Sequence, residues 1–224
     1  MRRPTGVFGK NRSTGSGKES LDNDSLAFKS IVFDLDGTLL VSNIDFASLR
    51  IRLQVPNHEA ILDWVESREE EEREAGRALL HSVEREAALD SRVHSGVPEL
   101  LDWLRARGVR FGILTRNSRT SWNIVASRFP FLSPDLVVTR EEAPPKPLPA
   151  CLQPFLDRWN LEPSDLVHVG DYRFDLELAQ ATGMHSILIN AEGKNPYPVP
   201  CDHVVRDLEE LLVYLRTLPF FEEC

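Results

Sequence analysis

Ser30-Ile31-Val32-Phe33-Asp34-Leu35-Asp36-Gly37-Thr38-Leu39-Leu40 decides how the rest of the chain is read. Ile31 to Phe33 is an apolar run that predicts a buried strand. It ends in two carboxylates that flank one leucine, followed by a glycine and a threonine. A buried strand rarely carries two acids at its end unless something cationic meets them. Gly37 lets the backbone turn sharply just past the acids. Open α/β sheets bind their ligands at this carboxyl edge.

Three later stretches repeat the pattern of a strand ending in polar residues. Val109 to Leu114 reads as a strand that ends at Thr115-Arg116-Asn117-Ser118. A hydroxyl there can donate to an anion, as can the backbone N–H groups after it. Asp135 to Thr139 is a short strand, followed by Pro144-Pro145-Lys146-Pro147. A lysine between prolines sits on a stiff loop, where its ammonium is held at low entropic cost. Asp165 to Val169 is another strand and runs into Gly170-Asp171-Tyr172-Arg173-Phe174-Asp175. Asp175 falls in the first turn of a helix, where an acid suits the positive helix end. His168 lies within the strand and reads as a packed residue. Gly183 ends the helix, His185 to Ile189 is a further strand, Val204-Val205 an edge strand, and Leu208 to Leu215 a last helix.

Strand and helix alternate from Val109 onward, so the expected architecture is an α/β, Rossmann-like, doubly wound parallel sheet. Residues 42–95 carry no strand signal and read as helical, a small α-helical insertion after the first strand. Phe46, Leu49 and Leu53 fall at helical spacing until Pro56, and a second helix is expected from Asn57, a good N-cap. Ala75, Leu79, Leu80, Val83, Ala87 and Leu89 continue an apolar stripe. The charge-dense run from Glu66 to Glu74 reads as a solvated helix face. The expected division is a disordered tail over 1–28, a core made of 29–41 and 96–218, and a helical cap over 42–95.

With 224 residues, 42% of them hydrophobic and 27% charged, the chain can bury a full core. No apolar run approaches the roughly 20 residues of a membrane span. The net charge of -9 argues against nucleic acid as the main partner. Cys151, Cys201 and Cys224 have neither metal-ligand spacing nor a paired framework, which fits a reducing, cytoplasmic setting. The polar residues before Lys29 do not read as a secretory signal.

The four polar strand ends, in this order, resemble the signatures of the haloacid dehalogenase superfamily. The resemblance extends from Ser30 to Asn190. The helical insertion is similar to the cap of its phosphoglycolate phosphatase type, which closes over the site and contributes to substrate choice. Arg50, Arg52, His58 and Arg68 are the polar cap residues considered for facing a substrate, although an ordinary surface position is the stronger expectation for each.

The resemblance implies a Mg²⁺-dependent phosphatase that acts on a small phosphorylated metabolite through an aspartyl-phosphate. Asp34 would be the nucleophile and Asp36 the acid–base. Thr115, Arg116 and Lys146 would bind phosphate. Asp34, the backbone carbonyl of Asp36, and Asp171 would hold the metal, with Asp175 behind them. Charge alone supports a cation, because a carboxylate approaching a phosphate at about 4 Å meets roughly 4 kcal/mol of repulsion per charge pair. A phosphomutase of the same superfamily and a catalytically silent binding module are the alternatives; the dehalogenase branch needs neither Asp36 nor Mg²⁺. A monomer or homodimer is expected.

Overall fold

The computed structural model describes residues 28–218. The tail expected over 1–28 lies outside the described residues except for Phe28, whose ring centroid is 5.0 Å from that of His185. Six strands, β1 (Ser30–Phe33), β4 (Arg110–Leu114), β5 (Leu136–Val138), β6 (Leu166–Gly170), β7 (His185–Ile189) and β8 (His203–Val205), form the main sheet. Their order is β5-β4-β1-β6-β7-β8, and every pairing is parallel. The chain moves outward from β1 in one direction and then returns to its other side, so β1 lies at the switch point.

Both faces of the sheet are covered, as a parallel sheet requires. Ile31 and Phe33 point into one core with α4 (Val97–Ala106), α5 (Arg119–Arg128) and α8 (Leu208–Leu215). Val32 points the other way, into a core with α6 (Gln153–Trp159) and α7 (Arg173–Thr182). This is the period of two of an extended chain. On the α6 face Gly112 makes room for Phe155: a Cβ there would lie 2.3 Å from Phe155 Cε1 and 3.0 Å from the Leu136 carbonyl. Gly112→Ala should therefore lower unfolding free energy by about 1–3 kcal/mol, read by chemical denaturation.

Three helices are inserted between β1 and α4: α1 (Phe46–Arg52), α2 (Ile61–Glu66) and α3 (Glu70–Asp90). They share an apolar cluster of Leu49, Val55, Ile61, Leu62, Val65 and Leu80. Gly76 admits α2 against α3, since a Cβ there would meet Val65 Cγ1 at 2.9 Å. The other end of α3 joins the main core through Ala88. Arg128 of α5 also donates to the Ala88 carbonyl at 2.6 Å and to Ser91 Oγ at 2.8 Å.

Three expectations for this insertion are corrected. A two-stranded antiparallel ribbon, β2 (Leu40–Val41) with β3 (Arg92–Val93), closes its base. Two-residue strands are too short to show a periodic pattern. Helix α2 begins at Ile61 with Ala60 as N-cap, because the segment from Asn57 to Glu59 forms a turn. Phe46, Ala75 and Leu89 are exposed, and the buried stripe of α3 runs through Gly76, Leu80, Glu84, Ala87 and Ala88 instead.

Candidate active site

The carboxyl ends of β1, β4 and β6, with the loop after β5, deliver the polar residues to one place. Lys146 is 2% exposed, and its Nζ donates to Asp34 Oδ1 at 2.5 Å and to Asp175 Oδ1 at 2.7 Å. Lys146 thus touches Asp34, 112 positions before it in the chain, and Asp175, 29 positions after it. One carboxylate oxygen from each of Asp34, Asp171 and Asp175 lies within 4.8 Å of the others. Thr38 donates to Asp171 Oδ1 at 3.2 Å, and the Tyr197 hydroxyl donates to the Asp171 carbonyl at 3.3 Å.

Glycines set this spacing. Gly37 has φ +81°, and a Cβ on it would fall 2.2 Å from Asp171 Oδ2. Gly170 ends β6 where a Cβ would fall 2.1 Å from Asp175 Cγ. Asp175 sits in the first turn of α7, and its Oδ2 accepts from the Tyr172 N–H at 3.1 Å. Its Oδ1 also meets His168 Nε2 at 3.0 Å. His168 is indeed packed, at 1% exposure, and it supports the site from beneath through this bond.

The electrostatics are those of crowded acids around one cation. Burial outweighs the Lys146 charge and raises the Asp34 carboxyl above the usual carboxylate range. Burial, then the charges of Asp34 and Asp175, push Asp171 up to about 8. Burial alone would raise Asp175 as well, but Lys146 and His168 outweigh it and hold that carboxyl well below its ordinary value. Burial and the Asp34 charge push Asp36 up to about 7. Asn117 Nδ2 donates to Asp36 Oδ2 at 2.5 Å, and the Asn117 N–H donates to Thr115 Oγ1 at 3.1 Å.

Three carboxylates facing one ammonium leave negative charge in surplus. Hard oxygen donors with such a surplus suit a divalent cation of the Mg²⁺ kind. Arg116 differs from the acids in where its bonds go. Its guanidinium donates to the Lys146 carbonyl, pairs with Asp63 of α2 at 2.7 Å, and lies 4.3 Å over the Phe174 ring. Of the cap residues considered, Arg50 is tied to the Pro56 and Glu59 carbonyls at 2.6 and 2.9 Å, and Arg68 lies 3.7 Å over Trp64. His58 is exposed and stands 3.6 Å from Glu59. Arg52 lines a crevice between α1 and α3 with Ser48 and Glu86. Tyr197 and the cap residue Asp63 join the site without a sequence signal, while Thr38 and Asn117 lie inside two of the polar strand-end stretches with no role of their own assigned there. Each is an ordinary polar residue until the fold brings its partner.

A parallel sheet with its acidic cluster at the switch point, beneath inserted helices, defines a hydrolase whose chemistry is carried by aspartates. The cluster of Asp34, Asp171 and Asp175 matches the catalytic type that works through an aspartyl-phosphate. The chain belongs to the haloacid dehalogenase-like hydrolases, whose family model matches residues 28–183. It is 28% identical over 185 residues to a haloacid dehalogenase-like hydrolase domain-containing protein of Arabidopsis thaliana, covering 77% of this chain and 75% of that one. It is 28% identical over 215 residues to a phosphoglycolate phosphatase of Nitrosospira multiformis, covering 83% and 94%. The fold is shared with a putative phosphoglycolate phosphatase from Lactobacillus plantarum at TM-score 0.67 and 20% identity, over 84% of this chain and 99% of that one. Among the described residues no helix is long and apolar enough to cross a membrane.

Proposed function

We propose that this chain is a Mg²⁺-dependent phosphatase that hydrolyses a small phosphomonoester through an aspartyl-phosphate on Asp34. The observation that carries the reading is the Lys146 ammonium held between Asp34 and Asp175, with the Asp171 carboxylate alongside. Asp34, the Asp36 carbonyl and Asp171 would hold the cation, while Asp175 is committed to Lys146, His168 and the Tyr172 N–H. When bound, the cation offsets the carboxylate charge and draws electron density from the phosphoryl group.

In the first step an Asp34 oxygen attacks phosphorus. The bond from phosphorus to the leaving oxygen breaks in line, and Asp36 gives its proton to that oxygen. Water then attacks the phosphorus of the aspartyl-phosphate and passes a proton to Asp36. The acyl-phosphate bond breaks, which frees phosphate and restores Asp34. Proton transfer by Asp36 is worth roughly 10²–10⁴-fold. Thr115 and Lys146 bind phosphoryl oxygens, and Arg116 at the mouth exchanges the Asp63 carboxylate for phosphate. Inserted helices above such a site exclude water and contribute to substrate choice.

Two measurements test the cation and its cradle. Mg²⁺ at 100 times its Kd should stabilise the protein by about 2.7 kcal/mol, seen as a rise in Tm. Asp171→Asn should abolish most of that rise, and an unchanged rise would remove Asp171 from the metal site. Gly37→Ala places a Cβ against Asp171 in a left-handed backbone. A misplacement of this order should lower kcat by about 10²-fold, measured as phosphate release. A panel of phosphate metabolites, phosphoglycolate among them, would identify the substrate.

A further inference from the structure

Asp36 has its own support, and it begins on the inserted helix α3. Glu84 is 6% exposed and occupies the buried stripe of that helix, where Leu80 and Ala87 are its apolar neighbours along the stripe. It pairs with Arg140, which follows β5; the two side chains are 8% and 10% exposed. Arg140 in turn fastens the turn after β4 at two points. Its Nη1 donates to the Arg116 carbonyl at 3.0 Å, and its backbone N–H donates to the Asn117 carbonyl at 3.3 Å. Asn117 then presents its side-chain amide to Asp36 Oδ2 at 2.5 Å.

We propose that Glu84 is a positioning residue for Asp36, acting through Arg140 and Asn117. The inference rests on the phosphatase reading for its kinetic consequence but not for its geometry. A buried ion pair is weak evidence of stability, because desolvation offsets much of the attraction. The cost here is visible: Glu84 Oε2 is buried with no hydrogen-bond partner among the described residues. An apolar residue would pack α3 without that cost. What the pair adds is direction, since it ties the Arg116–Asn117 turn to a rigid helix. The inserted segment thereby contributes to acid–base chemistry as well as covering the site.

The experiment uses a volume-matched pair, Glu84→Met with Arg140→Met, which removes both buried charges together. Two substrates separate positioning from general damage. Butyl phosphate has a poor leaving group that needs a proton, whereas p-nitrophenolate leaves without one. The pair should lose about 10- to 100-fold in kcat on butyl phosphate and less than about threefold on p-nitrophenyl phosphate. Glu84→Gln keeps an acceptor for Arg140 and should recover most of the loss. Equal losses on both substrates, or none on butyl phosphate, overturn the proposal. The Asn117 side-chain amide resonances report its bond to Asp36 without turnover and should shift in the Met pair. Unmoved resonances also overturn it. If the unmodified protein hydrolyses neither phosphate, the phosphatase reading falls, and these resonances still decide the positioning.

Discussion

Asp34→Asn should lower phosphomonoester hydrolysis by on the order of 10⁴-fold or more while leaving the fold intact. The amide has nearly the same volume, and its oxygen can still accept from Lys146, which lies 2.5 Å from Asp34 Oδ1. It also removes a charge that the folded protein on balance disfavours: burial and the neighbouring Asp175 outweigh the attraction of Lys146 and raise the Asp34 carboxyl. The metal-free variant should therefore not lose stability. What it loses is the nucleophile: an amide oxygen does not form the acyl-phosphate. Unmodified enzyme quenched in acid during turnover should carry a labelled phosphoryl group, and the variant none. A variant that turns over at the normal rate would end the covalent mechanism.

Lys146→Met should damage both activity and stability. The ammonium is almost fully buried and is shared by two carboxylates. Methionine fills much of the same space but leaves Asp34 and Asp175 without their cation. Breaking a buried pair in this way costs about 3–5 kcal/mol, which chemical denaturation in EDTA would read directly. The pH dependence has a definite sign. Asp175 is held below its ordinary value in the folded protein, so it contributes stability above the unfolded carboxylate range and loses it as pH falls through the folded value. Without Lys146 that depression shrinks, and the stranded carboxyls take up protons more readily. The gap between the two proteins should be widest near neutral pH and should narrow on acidification. A constant gap would mean that the lysine acts by packing alone. Hydrolysis should fall with it, since the ammonium would no longer meet the phosphoryl group.

The sheet was legible because its strands are apolar runs with both faces buried. Such runs differ sharply from the polar stretches that follow them. Asp34, Lys146, Asp171 and Asp175 each stand at a strand end or in the loop or helical turn just after one, where a charged residue calls for an explanation. Their convergence could therefore be expected from order alone. The ribbon of Leu40–Val41 with Arg92–Val93 was hidden because it is too short to carry a pattern. The start of α2 at Ile61 is masked in the sequence by a good capping residue, Asn57, which lies in a turn a few residues earlier. Glu84 could not be distinguished from the other glutamates of α3, since only packing against Arg140 turns a surface charge into a buried one.

Local polarity and periodicity are properties of neighbouring residues, so an alternating α/β chain with acids and a lysine at successive strand ends can be read from residue order. The partners of those groups come from folding: Asp175 for Lys146, Asn117 for Asp36, Asp63 for Arg116. Hydrogen bonds and ion pairs act over a few ångströms, and chain folding alone brings residues dozens of positions apart within that range.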